Sequence, residues 1–184
     1  MKLIKRLFLC LFAFGTFFNA IINVSANNEG SIVINGTIKD KTYEIYKIFD
    51  LTYQSKKVAY TIDSDWKNFF ENNGSSYIVD TNSGSLNAIA IGNTTKYINI
   101  TSDNIAKFTQ DALVYASKLE GNDGSKKAEG DTLTFDNLSL GYYLVYPQGA
   151  TDIKEGNAWI CSITSTVPNA EVFIKAEYPF IEKE

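Results

Sequence analysis

Few residues in this sequence can serve as nucleophile, base or metal ligand. There is no histidine, the only arginine is Arg6, and the two cysteines are Cys10 and Cys161. Ser-His-Asp and Cys-His catalysis, His-ligated zinc and arginine clamping of phosphates all require side chains that the body of the chain lacks. Cys161 lies among Trp159, Ile160 and Ile163 and reads as a small buried hydrophobe, since no imidazole is present to take its proton. Asp63 with Asp65 or Asp80 could in principle cut glycosides, but acids this close along a turn usually face solvent or cap a helix. The glycine-rich stretch Glu120 to Gly130 has neither a GK[ST] signature nor regular acidic spacing, so it reads as a solvated hairpin or lid rather than a phosphate or calcium loop. No catalytic residue, metal or cofactor is expected.

Charge narrows the field further. The 184 residues carry 17 Lys and Arg against 21 Asp and Glu, and Lys2, Lys5 and Arg6 all precede the first acid, Glu29. Without that leader the body is net −7, which disfavours a nucleic-acid partner because phosphate binding needs clustered basic charge. Residues 1–26 combine the basic start, an apolar run from Leu7 to Phe18 and small residues at Val24-Ser25-Ala26. That is the pattern of a secretory signal peptide; its apolar core is about a dozen residues, short of the roughly 20 that span a bilayer, so no membrane association is expected after cleavage. Cleavage removes Cys10 and leaves Cys161 without an intrachain disulfide partner. Beyond the leader, the Asn-x-Ser/Thr sequons at Asn35, Asn73, Asn93, Asn99 and Asn137 follow cheaply from an Asn-rich composition.

The remaining length suits one core, and residues 27–176 read as a single domain. Short alternating or β-branched segments recur between turn signals, among them Ser31 to Ile38, Thr42 to Phe49, Val58 to Ile62, Gly141 to Tyr146, Ala158 to Ser165 and Val172 to Ala176. Strands at that spacing predict a mainly β, immunoglobulin-like sandwich. One amphipathic helix is expected at about 102–119, with Ile105, Phe108, Ala112, Tyr115 and Leu119 inward and Ser102 or Asp103 as N-cap. A short helical turn at about 64–71 should bury Trp66 with Phe69 or Phe70. Residues 177–184, with Pro179 and four charges, read as the start of an interdomain linker.

Two segments resemble a known family. Lys41-Thr42-Tyr43-Glu44-Ile45-Tyr46-Lys47-Ile48-Phe49-Asp50 is similar to the first core strand of the N-terminal domain of Gram-positive sortase-assembled pilins. Thr134 to Val145 is similar to the F-x-x-L-x-x-G-x-Y-x-L/V signature of their Cna-B-like folds, carried here by Phe135, Leu138, Gly141, Tyr143 and Val145. With the leader, the helix and the Pro-containing tail in the same order, the resemblance covers essentially the whole mature chain.

The resemblance implies a structural role in a fimbrium on the cell wall. In that family a class C-type sortase joins one subunit's C-terminal sorting motif to a lysine of the next, within a V-x-V-Y-P-K motif. Val172-Phe173-Ile174-Lys175 stands at that place, with Phe173 for the tyrosine and Ile174 for the proline, so Lys175 is the implied acceptor and Lys154 and Lys183 are rivals. The pilin would be the sortase's substrate and not a catalyst. The family also forms internal Lys–Asn isopeptide bonds; Lys47 with Asn157 or Asn169 are the residues implied, although Tyr146 stands where the assisting acid is usual. The expected partners are other pilin subunits and the sortase. No sorting motif follows residue 184, so the chain reads as a fragment of a longer subunit or a truncated secreted product. The alternative is a secreted adhesin or tip-type domain holding host protein or glycan on loops such as Asn72 to Ser76 or Glu120 to Gly130.

Overall fold

A computed structural model describes residues 29–54, 57–82, 86–148, 159–163 and 167–173. The leader, the tail and the residues Lys154, Asn157, Lys175 and Lys183 lie outside the described residues. The fold is the expected mainly β sandwich. Its strands are β1 (Glu29–Asn35), β2 (Thr42–Gln54), β3 (Lys57–Ile62), β4 (Ile78–Val79), β5 (Asn87–Ile91) and β6 (Thr94–Ile98), then β7 (Gly124–Lys127), β8 (Thr132–Ser139), β9 (Gly141–Pro147), β10 (Trp159–Ile163) and β11 (Asn169–Phe173). Two helices, α1 (Lys67–Glu71) and α2 (Ile105–Ala116), interrupt them.

The smaller sheet has the order β11-β1-β8 and the larger one β10-β9-β2-β3-β5-β6-β4, with β7 also paired to β2. β1 runs antiparallel to β8 and parallel to β11, its Ser31 opposite Asn169 and its Asn35 opposite Phe173. Period-two alternation sends Ile32 and Ile34 of β1, with Ala170 and Val172 of β11, inward against Tyr43 and Ile45 of β2 and Tyr143 and Val145 of β9. The other face of β2 and β9 is buried too. Tyr46, Ile48 and Leu144 point away from the small sheet into a second core completed by Trp66, Phe69 and Phe70 and by Phe108, Ala112 and Ala116 of α2. Burial on both faces explains why Gly141 to Val145 carries no charged residue and why apolar residues fall at both parities of Tyr43 to Phe49, around Glu44 and Lys47. Trp66 packs on Phe69 and Tyr115, with ring centroids 5.6 and 5.3 Å apart.

Gly141 belongs where β9 meets a register shift in β2 between Lys47 and Phe49. A Cβ there would sit 2.1 Å from the Phe49 carbonyl oxygen, so only glycine lets the two strands close.

Three expectations need correction. The Glu120 to Gly130 stretch is not simply a solvated hairpin: Gly124 to Lys127 adds β7 to β2, and Asp123 N–H donates to the Ile45 carbonyl at 2.9 Å. Its Gly124 fits because a Cβ would already press on Ile45 and Phe135 at 3.2 Å. Neither Ser102 nor Asp103 caps α2. The helix starts after Asn104, whose Oδ1 instead accepts from Thr101 N–H at 2.8 Å and whose Nδ2 donates to the Asn99 carbonyl at 2.7 Å. Finally, Ile105 is exposed, and Leu113 and Ala116 complete the buried stripe with Phe108 and Ala112.

Candidate functional site

Along β2 the alternation Tyr43, Ile45, Lys47 carries an amine onto the face that packs against the small sheet. There Lys47 reaches the rim of the inter-sheet core, its side chain only 16% exposed. Its Nζ lies 2.7 Å from Asp50 Oδ1 and donates to Ser139 Oγ at 3.2 Å. Tyr143 OH gives its proton to the Ser139 carbonyl at 2.8 Å, so the 3.2 Å contact between the two hydroxyls is a bond from Ser139 Oγ to the phenol oxygen. The backbone N–H of Lys47 donates to Asp123 Oδ2 at 2.6 Å, which ties the segment just before β7 to β2.

Charge decides what this group can do. Burial pulls the Lys47 pKa down, but the hydrogen bond and charge of Asp50, with Tyr143 and Asp123, outweigh it and leave the amine above its ordinary value. It is an ammonium at neutral pH. A Ser139–Lys47 pair therefore has no base to activate the hydroxyl, although its geometry resembles a Ser–Lys dyad. Asp123 is pushed up by burial, against the Lys47 N–H and charge, with Asp63 and Asp65 adding to the rise. Burial likewise raises Tyr143, while Ser139 and Lys47 act the other way. The result is a closed electrostatic knot joining β2, β8, β9 and the β7 approach.

Asn169 sits on the exposed face of β11, its Oδ1 accepting from Ser31 Oγ at 2.8 Å. It and Lys47 are on different sheets. Asn157 and Lys175 fall outside the described residues. β11 itself is an edge strand of the small sheet with an exposed-buried alternation that leaves Asn169, Glu171 and Phe173 outward. Phe173, 64% exposed, stands two residues before Lys175 in the sequence.

The carboxylates singled out in the sequence have local partners. Asp63 Oδ1 accepts from Asp65 N–H at 3.0 Å and caps the helical turn at Ser64–Trp66, while Asp80 pairs with Lys96 at 2.9 Å. Among the described residues no group of three or more Cys, Asp or Glu is placed to hold a metal ion, and no helix is long and apolar enough to cross a membrane. The Lys47 knot escaped the sequence reading because its partners Asp123 and Ser139 lie 76 and 92 residues away. The Tyr43-Ile45-Lys47 alternation was the available signal that this lysine faces inward.

No protein-family model matches the chain, and no curated protein matches its sequence. Among solved structures it is similar to the T6 backbone pilin of serotype M6 Streptococcus pyogenes, at 13% identity and a TM-score of 0.44 over 83% of this chain. It is also similar to the SpaA pilin of Corynebacterium diphtheriae, in a complex with a signal peptide (15% identity, TM-score 0.37, 82% of this chain and 99% of that one). A third likeness is to the full-length major pilin SpaD of the same organism (17% identity, TM-score 0.33, 83% of this chain and 30% of that one). The chain spans 29% of the length of the T6 pilin.

Proposed function

We propose that this chain is the N-terminal domain of a structural subunit of a covalently polymerised cell-surface pilus, and that Lys175 is the amine onto which a sortase joins the next subunit. The observation that carries the reading is the placement of β11. The strand that leads to Lys175 is an edge strand, fixed by five register pairs to β1, and its residues Asn169, Glu171 and Phe173 face solvent. Lys175 follows Phe173 by two residues in the sequence, and the reading requires its amine to be open to the acyl-enzyme. The reaction asks nothing catalytic of the pilin. The deprotonated Nζ attacks the thioester carbonyl on the sortase, the new N–C(=O) bond forms, the C–S bond breaks, and the cysteine sulfur leaves with a proton. The motif resemblance around Phe135 to Val145 and the sandwich built on β2 and β9 support the same reading.

The test is a blot of cell-wall extract boiled in SDS, for the full-length subunit and its Lys175→Ala variant. Wild type should give a ladder of high-mass bands and the variant a folded monomer alone. A ladder that persists in Lys175→Ala moves the acceptor to another lysine. Monomer alone in wild type overturns the pilus reading.

A further inference from the structure

Beyond polymerisation, and independent of it, the molecule holds a cleft that neither core uses. β3 and β5 run parallel only through Tyr60 with Ile89 and Thr61 with Ala90, and then part. Ile62 of β3 stays paired with β2, opposite Phe49, while Ile91 of β5 pairs with β6, opposite Thr94. Between the diverging ends and α1 lies a cavity of about 600 Å³. Ile62, Ile78 and Ile91 pack against the core yet remain half-buried, and Phe70 and Ala90 line the same space. Ligand cavities typically measure about 300–1,000 Å³, with an apolar lining and a few placed polar groups. The rim is open at the hairpin tip, since a Cβ on Gly92 would meet nothing within 4 Å.

The charges at the mouth select the occupant. Lys96 is committed to Asp80 at 2.9 Å. Lys67, exposed on α1, has no ion-pair or hydrogen-bond partner among the described residues. An apolar molecule covering it strips water from a cation that then needs an anion. Glu71, one helical turn further along and also at the cleft, opposes a second negative charge, which disfavours a dianionic phosphate relative to a monoanion. We propose that this cleft binds a small monocarboxylic acid with a compact apolar body, its carboxylate on Lys67 and its body against Ile62, Ile78 and Ile91.

The test is an amide ¹H–¹⁵N NMR titration of the full chain with 4-phenylbutyrate, alongside 4-phenylbutanol and 4-phenylbutylamine. The acid should give saturable shifts at Ile62, Ile78 and Ala90 to Gly92, and bind about tenfold more tightly than the alcohol and amine, as a charge-assisted bond predicts. Lys67→Gln, at an exposed site, should remove that preference. Ala90→Trp, which fills the cavity from an exposed strand position, should abolish binding of all three without disturbing distant amides. The proposal is overturned by shifts that do not saturate, by shifts centred elsewhere, by equal affinity for acid and amine, or by acid binding of undiminished strength in Lys67→Gln.

Discussion

Replacing Gly141 with alanine tests the register that joins β9 to β2 within the larger sheet. An added Cβ would sit 2.1 Å from the Phe49 carbonyl oxygen and 3.3 Å from its carbon, where ordinary contact begins near 3.4 Å. The obstacle is backbone in the middle of β2, buried on both sides, so no side chain can swing away. The strands must separate by about 1 Å, at the Asp50–Gly141 step of the β2–β9 ladder. Overpacking of this kind costs about 1–3 kcal/mol. One or two weakened ladder hydrogen bonds add about 1 kcal/mol each, for a total of about 2–5 kcal/mol. That is a large share of the roughly 5–15 kcal/mol that holds a domain folded. With a urea slope of about 1–3 kcal/mol per molar, the midpoint should fall by about 1–2 M in Gly141→Ala. Gly121→Ala is the control, since a Cβ there meets nothing within 4 Å and its backbone is not left-handed; its midpoint should stay put or rise slightly. A Gly141→Ala loss smaller than about 1 kcal/mol, or one equal to that of Gly121→Ala, would refute the reasoning.

Other expectations follow from the Lys47 knot and the aromatic core. Asp123→Asn keeps an acceptor for Lys47 N–H while removing a carboxylate that burial disfavours, so thermal unfolding at pH 7 should be unchanged or slightly raised; a fall of several degrees would show that its charge is needed. Lys47 has its folded pKa above the ordinary 10.5, so the stability it contributes is full below that pH and drains as pH rises further. The melting-temperature gap between wild type and Lys47→Met should therefore shrink from pH 8 to pH 11.5. Tyr77 is raised by burial and by its 2.7 Å bond to Asp111, and should stay protonated in an alkaline ultraviolet titration after exposed phenols have ionised. Tyr77→Phe should remove one slow-titrating phenol and cost about 1–2 kcal/mol in urea unfolding.

What could be read from sequence was whatever local pattern controls. β2 and β9 announce themselves because burial on both faces puts apolar residues at both parities of Tyr43 to Phe49, around Glu44 and Lys47, and leaves Gly141 to Val145 without a charged residue. α2 shows its period through Phe108 and Ala112, yet its inner stripe turned toward Leu113 because the sheet it covers, and not the helix alone, sets the contact face. β7 was illegible for a related reason. Gly124-Ser125-Lys126-Lys127 has no strand propensity, and it is a strand only because β2 offers it a free edge at Thr42 to Ile45. The start of β11 at Asn169, three residues ahead of the apolar run, is likewise set by pairing with Ser31. The burial of Lys47 rests on Asp50, Ser139 and Asp123, and two of those come from far along the chain, where no local pattern reaches.

The central position of β1 between β8 and β11 has a consequence for timing. Although β1 is made before every other strand, its two neighbours start at Thr132 and Asn169, near the end of the described chain. Until those residues emerge, Ile32, Ile34, Tyr43 and Ile45 have one another but lack Phe135, Ala170 and Val172, which complete their core. Such long-range pairing slows folding, because loop-closure entropy must be met before the contacts form. A polypeptide emerging N-terminus first from a ribosome thus stays pliable until β8 and then β11 arrive to flank β1.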